Sequence, residues 1–110
     1  MSTAAIRLVT VLITVPTKDV GLQISRSIVT QKLAACVNII PSVTSVYVWE
    51  GKLEESDELM MVVKTTSEKI AQLQESVTKL HPYDVPEFIV LPIEHAAPKY
   101  ASWIATQTGQ

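Results

Sequence analysis

The sequence predicts an α+β domain of the ferredoxin-like type, a βαββαβ sandwich with a long β-hairpin arm and a short C-terminal helix. Three observations support this fold. Runs rich in β-branched residues alternate with amphipathic segments, Glu50-Gly51 marks a hairpin loop, and the amphipathic segments carry apolar residues at helical spacing. The simplest topology is a four-stranded antiparallel sheet with both main helices on one face. We find no repeat or linker, so residues 1–110 are expected to form one domain.

The first strand and first helix follow from a change in period. The run "IRLVTVLITV" (Ile6–Val15) is typical of a strand, and Pro16 ends it. Thr17 is placed to cap the helix that follows. The expected buried stripe of this helix comprises Val20, Ile24 and Ile28, widened by Val29 and Leu33.

The second and third strands are predicted to form a long hairpin. The second runs from Cys36 to Trp49 and is interrupted by Pro41, which belongs at a sheet edge or a bulge. Glu50-Gly51 forms a two-residue loop, because glycine readily adopts the positive φ that such loops require. The return strand passes from Lys52 through the charged run "EESDE" into the apolar run "LMMVVKT".

The second half of the chain supplies another helix, a fourth strand and a last helix. Ser67 is placed to cap the second helix, and Glu87–Ile93 reads as the fourth strand. Pro98 stands in the first turn of the last helix. The apolar positions expected to pack are Ile70, Leu73, Val77 and Leu80 in the second helix and Tyr100, Trp103 and Ile104 in the last.

Apolar residues occupy both faces of strands one, three and four, whereas a sheet wetted on one face alternates apolar with polar residues. Several hundred Å² of exposed apolar surface, at about 25 cal/mol per Å², would favour association by on the order of ten kcal/mol. We therefore expect an oligomer whose sheets face one another and whose hairpin arms reach neighbouring subunits.

Composition narrows the class of protein. The 110 residues are 47% hydrophobic and carry a net charge of −2, which offers no basic surface for nucleic acid. The lone Cys36 excludes an intrachain disulfide and a CxxC site. No segment is apolar over the roughly 20 residues that a membrane helix needs. We expect a cytoplasmic protein without a nucleic-acid or membrane partner.

Several motifs together resemble one family. The segments "AACVN", "YVWEGK", "HPYDVPE" and "YASWI" occur in the order and at the spacing found in the CutA family, named for divalent-cation tolerance. The likeness extends from about Arg7 to Ile104. It implies a tight homotrimer, an architecture similar to PII-type signalling regulators, and a link to copper and other divalent cations. It also implies anchoring of acetylcholinesterase by animal members, and it brings no established enzymatic activity.

The resemblance carries over only part of a metal site. Some bacterial relatives have a cysteine and a second histidine at the positions of Ile13 and Leu80, so only His81 is retained here. Imidazole and carboxylate suit Cu(II), and His81 with Glu87 is the expected pair of ligands for weak binding. Cys36, beside two alanines and an apolar strand, is expected to be a small buried hydrophobe rather than a ligand. No cofactor is expected to be obligatory.

The segment "LHPYDVPE" (Leu80–Glu87) allows two interpretations. It is either a rigid turn, stiffened by two prolines, or one wall of a functional cleft that also uses residues of a neighbouring subunit. The residues expected at such an inter-subunit cleft are Trp49, Lys52, Lys64, Tyr83 and Asp84.

Three classes of function remain. A trimeric protein that responds to divalent metal, or senses a small ligand in its clefts, is the leading hypothesis. A non-enzymatic trimer that anchors or assembles a partner protein is the alternative. An enzyme is disfavoured, because the sequence has no phosphate-binding loop, no HExxH motif and no nucleophile with an evident base.

Overall fold

The structure is a computed structural model that describes residues 6–109; of the predicted domain, residues 1–5 and 110 lie outside this range. Seven principal elements form a mixed α+β fold, and a 3-10 turn (Ser67–Lys69) precedes the second helix. The elements are β1 (Leu8–Val15), α1 (Lys18–Thr30), β2 (Cys36–Trp49), β3 (Lys52–Thr66), α2 (Ile70–Leu80), β4 (Ile89–Pro92) and α3 (Pro98–Gln107).

The four strands form one antiparallel sheet in the order β2-β3-β1-β4. Val11 of β1 lies opposite both Val63 of β3 and Val90 of β4, so β1 is central. The βαββαβ connectivity and the four-stranded antiparallel sheet are those predicted from the sequence. The fourth strand is shorter than predicted, because only four of its residues pair with β1.

The main core lies between one face of the sheet and the helices α1 and α2. Alternate residues of each strand point into it, since successive side chains of a strand face opposite sides. The core comprises Val11, Ile13, Val15, Ile24, Ile28, Leu33, Ala34, Met61, Val63, Leu73 and Val77. The predicted stripes of α1 and α2 are confirmed except at Val29, which is exposed near the end of α1. In α3 the prediction holds for Ile104, which is buried, and is wrong for Tyr100 and Trp103, which are exposed.

The two main helices begin differently. Thr17 caps α1 as predicted, and its Oγ1 accepts a hydrogen bond from the Val20 amide at 3.2 Å. The predicted cap at Ser67 is wrong. Ser67 is already the first residue of the 3-10 turn, and the residue before it, Thr66, makes no side-chain cap. The backbone amide of Ser67 instead donates to the carbonyl oxygen of Arg7, which joins the start of this turn to the residue before β1.

The hairpin arm gives the molecule its elongated shape, with extents of 51 × 25 × 25 Å. Trp49 and Lys52 pair across the tip, and Glu50 and Gly51 have φ of 51° and 79°, as the predicted two-residue loop requires. The register shifts between Ile40 and Val43, so the predicted bulge at Pro41 is confirmed on an edge strand.

The second face of the sheet is only partly covered. Helix α3 contacts β3 and β1, and Tyr100 lies beside Cys36, which faces away from the main core. Beyond α3, Ile40, Ile89 and Leu91 remain exposed. The described structure therefore has an open apolar surface where the sequence predicts contact between subunits.

Replacing Ile28 by alanine is expected to lower the free energy of unfolding by about 2–5 kcal/mol, because the side chain is fully buried and its loss leaves a cavity. Val29→Ala is the matched control. Its neighbouring side chain is 40% exposed, and the expected change is within about 0.5 kcal/mol. Urea denaturation measures both, and equal losses would contradict this description of the core.

Candidate functional site

His81 joins the segment after α2 to the centre of the sheet. It caps the C-terminus of α2, and its amide donates to the carbonyl oxygen of Val77. The imidazole is buried, with Nε2 2.8 Å from the carbonyl oxygen of Thr14 and Nδ1 accepting from the amide of Tyr83 at 3.1 Å. Since Nδ1 accepts, this network assigns the proton to Nε2. Both ring nitrogens are thus engaged within the chain.

Tyr83 extends the same network to β3. Its hydroxyl donates to Oε2 of Glu58 at 2.8 Å, and its ring lies 4.7 Å from the His81 ring, centroid to centroid. Burial and the hydrogen bond to Glu58 raise the pKa of the Tyr83 phenol well above its ordinary value. The hydroxyl therefore stays protonated and acts as a donor to the carboxylate.

Glu58 is a buried carboxylate without a cation. Its side chain is 7% exposed, and among residues 6–109 the one ion pair within 4 Å joins Lys79 to Glu75. The hydrogen bond from Tyr83 is the one donor that the described residues offer to Glu58. A buried charge with a single hydrogen bond lowers the stability of the folded state. A ligand that bonds to Glu58 would therefore stabilise the fold.

Glu87 lies close enough to Glu58 to respond to its charge. Burial is the main cause that raises the pKa of the Glu87 carboxyl, and repulsion from Glu58 adds to it. Bringing a cation between the two carboxylates would relieve this repulsion.

These groups line a cleft of about 760 Å³. Its floor is the face of the hairpin opposite the main core, and its wall is the segment from Pro82 to Glu87. The lining residues are Thr14, Ser45, Val46, Tyr47, Trp49, Glu58, Pro82, Tyr83, Asp84, Val85 and Glu87. The cleft is therefore aromatic and acidic.

A family model described as "CutA1 divalent ion tolerance protein" matches residues 9–107. The chain belongs to the CutA1 family. It is 46% identical over 99 residues to a protein of Thermus thermophilus named "Divalent-cation tolerance protein CutA", covering 90% of this chain and 96% of that protein. It is 49% identical over 92 residues to a CutA homologue of Xenopus laevis, covering 84% of this chain. The chain spans 61% of that longer animal protein.

Solved structures of CutA1 proteins share the fold. The Thermus thermophilus structure has a TM-score of 0.90 at 45% identity and covers 93% of this chain and 99% of its own. The Oryza sativa structure has a TM-score of 0.91 at 42% identity and covers 94% and 95%. The family predicted from the motifs is confirmed, and so is a mixed α+β fold with four antiparallel strands and three helices.

In this CutA1 chain, Trp49, Tyr83, Asp84 and Glu87 lie together at the cleft within a single subunit. His81 stands behind the wall rather than on it, where it positions Tyr83.

The two lysines predicted at the cleft do not line it in a single chain. Lys52 pairs with Trp49 at the hairpin tip, and Lys64, near the other end of β3, donates to Oδ1 of Asn38. Contact between either lysine and a neighbouring subunit's cleft stays a prediction. Cys36 is partly buried and His95 is exposed, both outside the cleft lining.

Sequence reasoning missed Glu58, which is the most buried acidic side chain at the cleft. By its composition, the run "EESDE" indicates only a charged part of the return strand. Its period of two was the available signal, because it places Glu54, Ser56 and Glu58 on the face opposite Glu55 and Asp57. The burial of Glu58 itself depends on the cleft wall, which is formed by a segment distant in sequence.

The described residues contain no group of three or more His, Cys, Asp or Glu side chains placed to hold one metal ion. The cleft contributes carboxylate oxygens, so water or a neighbouring subunit would have to complete a coordination sphere. No helix among residues 6–109 is long and apolar enough to cross a membrane.

Glu87→Gln is expected to raise the melting temperature at neutral pH in metal-free buffer. The raised pKa means that the folded state favours the protonated form of Glu87. Ionisation of Glu87 therefore lowers the stability of the folded state as pH rises through the folded pKa, and this loss is absent below the unfolded pKa. Gln mimics the protonated form at every pH. The difference in melting temperature between the variant and the wild type should therefore disappear as the pH is lowered. Thermal unfolding across pH 3.5–8 tests this, with exposed Glu55→Gln as control. A gap that widens at low pH would contradict it.

Proposed function

We propose that this CutA1-family protein responds to divalent cations, copper among them, by binding them weakly at the acidic end of the cleft. The observation that carries the proposal is the pair Glu58 and Glu87. Glu58 is buried, and the pKa of the half-buried Glu87 is raised by burial and by repulsion from Glu58, while neither forms an ion pair among residues 6–109. The name of the Thermus thermophilus relative, "Divalent-cation tolerance protein CutA", supports the choice of ligand.

Glu87 and His81 are the proposed ligands, with Glu58 as a further oxygen donor. For the imidazole to bind a metal ion, Nδ1 must lose the hydrogen bond that it accepts from the Tyr83 amide, since Nε2 is hydrogen-bonded to the carbonyl oxygen of Thr14. That cost and the small number of donors make the proposed binding weak. The proposed role is regulatory rather than catalytic. The proposed location is the cytoplasm, whereas relatives from Arabidopsis thaliana and Oryza sativa are named chloroplastic.

We further propose a homotrimer in which the cleft is completed between subunits. Support comes from the exposed apolar residues of the second sheet face and from the hairpin arm, whose other face leaves Val46, Val48 and Leu53 largely uncovered. An arm with apolar residues on both faces is unfavourable in water unless another chain covers it. The same rigid assembly would suit the alternative function, a trimer that anchors a partner protein.

Titration with Cu(II) should show weak binding that His81→Ala and Glu87→Gln each reduce by about tenfold or more, since each removes one of few donors. His95→Ala is the matched control, because that imidazole is exposed and outside the cleft. A chelator should leave the assembly intact, unlike a structural metal site. Equal calorimetric affinities in wild type and both site variants would refute these ligands.

Sedimentation at micromolar concentration should give three times the chain mass of 12.1 kDa. Trp49→Ala is expected to weaken assembly and to lower thermal stability, because its half-exposed ring would be covered by a neighbour. Lys18→Ala, at an exposed position at the start of α1, serves as the surface control. A folded species of one chain mass, or an unchanged Trp49→Ala variant, would refute this assembly.

A further inference from the structure

We propose that Lys64 of one subunit forms an ion pair with Glu58 of the neighbouring subunit, so that a cation from another copy of this chain completes the cleft. This inference rests on the homotrimer proposed above, and it names the two side chains that meet across the interface. Four features of β3 and its surroundings support it.

The first feature is the face on which the two charges lie. Met61 and Val63 belong to the main core, and successive side chains of a strand face opposite sides. Glu58 and Lys64 therefore both point to the second face of the sheet. That face carries the open apolar surface, which the proposed assembly turns towards another subunit. Both charges thus belong to the expected contact surface.

The second feature is their separation within one chain. At roughly 3.3 Å per residue, positions 58 and 64 of a single strand lie about 20 Å apart, which is beyond the reach of the two side chains. Neither residue forms an ion pair with any of residues 6–109. A lysine at position 64 can reach a glutamate at position 58 only on another copy of the chain.

The third feature is the state of the two charged groups, and Glu58 is the more buried of them. The cleft wall covers Glu58 within a single subunit, and assembly can only bury it further. Its Oε2 accepts from the Tyr83 hydroxyl, which leaves the other carboxylate oxygen able to accept from an ammonium group. Such a charge-assisted bond would compensate the buried charge and leave His81 and Glu87 as the proposed metal ligands.

Lys64 holds its ammonium group at the edge of the open surface. Its register partner on β2 is Cys36, which lies beside Tyr100 of α3, but Nζ donates to Oδ1 of the exposed Asn38, further along β2 and away from α3. The side chain is only partly exposed, and this amide oxygen is a neutral acceptor. A carboxylate from a neighbour would therefore bond to Lys64 more strongly than Asn38 does.

The fourth feature is the apolar strip between the two charges. Met60 and Val62 separate them on β3, and Ile40 of β2 lies opposite Met60. A surface with an apolar middle, a cation at one end and an anion at the other is complementary to a copy of itself. A three-fold axis brings different parts of one surface together, so each interface of the closed ring would contain the same ion pair.

Lys52 is the rival cation, because it also lies on this face of β3, opposite Trp49. It is exposed at the hairpin tip, where water solvates its charge. Exposed ion pairs contribute little to stability, so a partner for Lys52 would add little to assembly. The partly buried Lys64 is the stronger candidate.

The test is an exchange of charges, followed by sedimentation of the full-length protein over a concentration series in a fixed, sub-denaturing concentration of urea. Lys64→Glu and Glu58→Lys should each weaken assembly by about tenfold or more, because each brings like charges together. The double variant Lys64→Glu/Glu58→Lys should recover most of this loss. Glu55→Lys is the matched control, because this exposed acid lies on the opposite face of β3.

If a reversed charge prevents folding, Lys64→Met and Glu58→Gln decide the result, since they remove the charges and keep side chains of similar length. Each should weaken assembly by about tenfold, and the double variant should weaken it no more than the stronger single variant. Additive losses, or no loss in either variant, would overturn the inference. Recovery of Glu58→Lys by Lys52→Glu, and not by Lys64→Glu, would also overturn it.

The wild-type mass and a Cu(II) titration keep this inference apart from the proposals above. A folded wild-type protein of one chain mass would refute the homotrimer and the ion pair together. A trimer without coupling between Lys64 and Glu58 would refute the ion pair alone. Recovery of assembly in the double variant, together with absence of Cu(II) binding in the wild type, would support the ion pair and refute the metal site.

Discussion

The hydrogen bond between Nε2 of His81 and the carbonyl oxygen of Thr14 is the contact on which the candidate site depends. It ties the end of α2 to the central strand at the point where the chain turns towards β4. With the ring so held, Nδ1 orients the amide of Tyr83, and the Tyr83 hydroxyl reaches Glu58. A histidine that the sequence suggested as a metal ligand thus has a structural part in placing the cleft wall, whatever it binds.

The electrostatics of the cleft follow from that wall. Covering one side of Glu58 removes water from its carboxylate, while the protonated Tyr83 hydroxyl returns only one hydrogen bond. The charge of Glu58 also repels the Glu87 carboxylate and adds to the effect of burial in raising the pKa of Glu87. Buried charge without a partner lowers stability and is usually tolerated where a ligand or another chain compensates it. A metal ion and contact with another subunit are both ways of supplying that compensation.

Local signals predicted most of the backbone. Thr17, the Glu50-Gly51 loop and the bulge at Pro41 each depend on side-chain or φ preferences of a few neighbouring residues, and all three are present. The start of α2 was mistaken at Ser67, because the 3-10 turn there is held through the backbone bond to Arg7, a residue far away in sequence. The length of β4 was overestimated for a similar reason, since it is set by pairing with β1.

The sequence by itself determined the family, the order of the elements and the apolar stripes, because these depend on composition, period and motif spacing. Tertiary structure decided which polar groups meet. Glu58 and Tyr83 are 25 residues apart in sequence. Tyr83 covers Glu58 and donates a hydrogen bond to it only because the segment after α2 packs against the hairpin. Lys64 does not line the cleft of its own chain, because it lies near the far end of β3, where it donates to Asn38. Burial and charge coupling arise from the positions of distant segments, which no local pattern encodes.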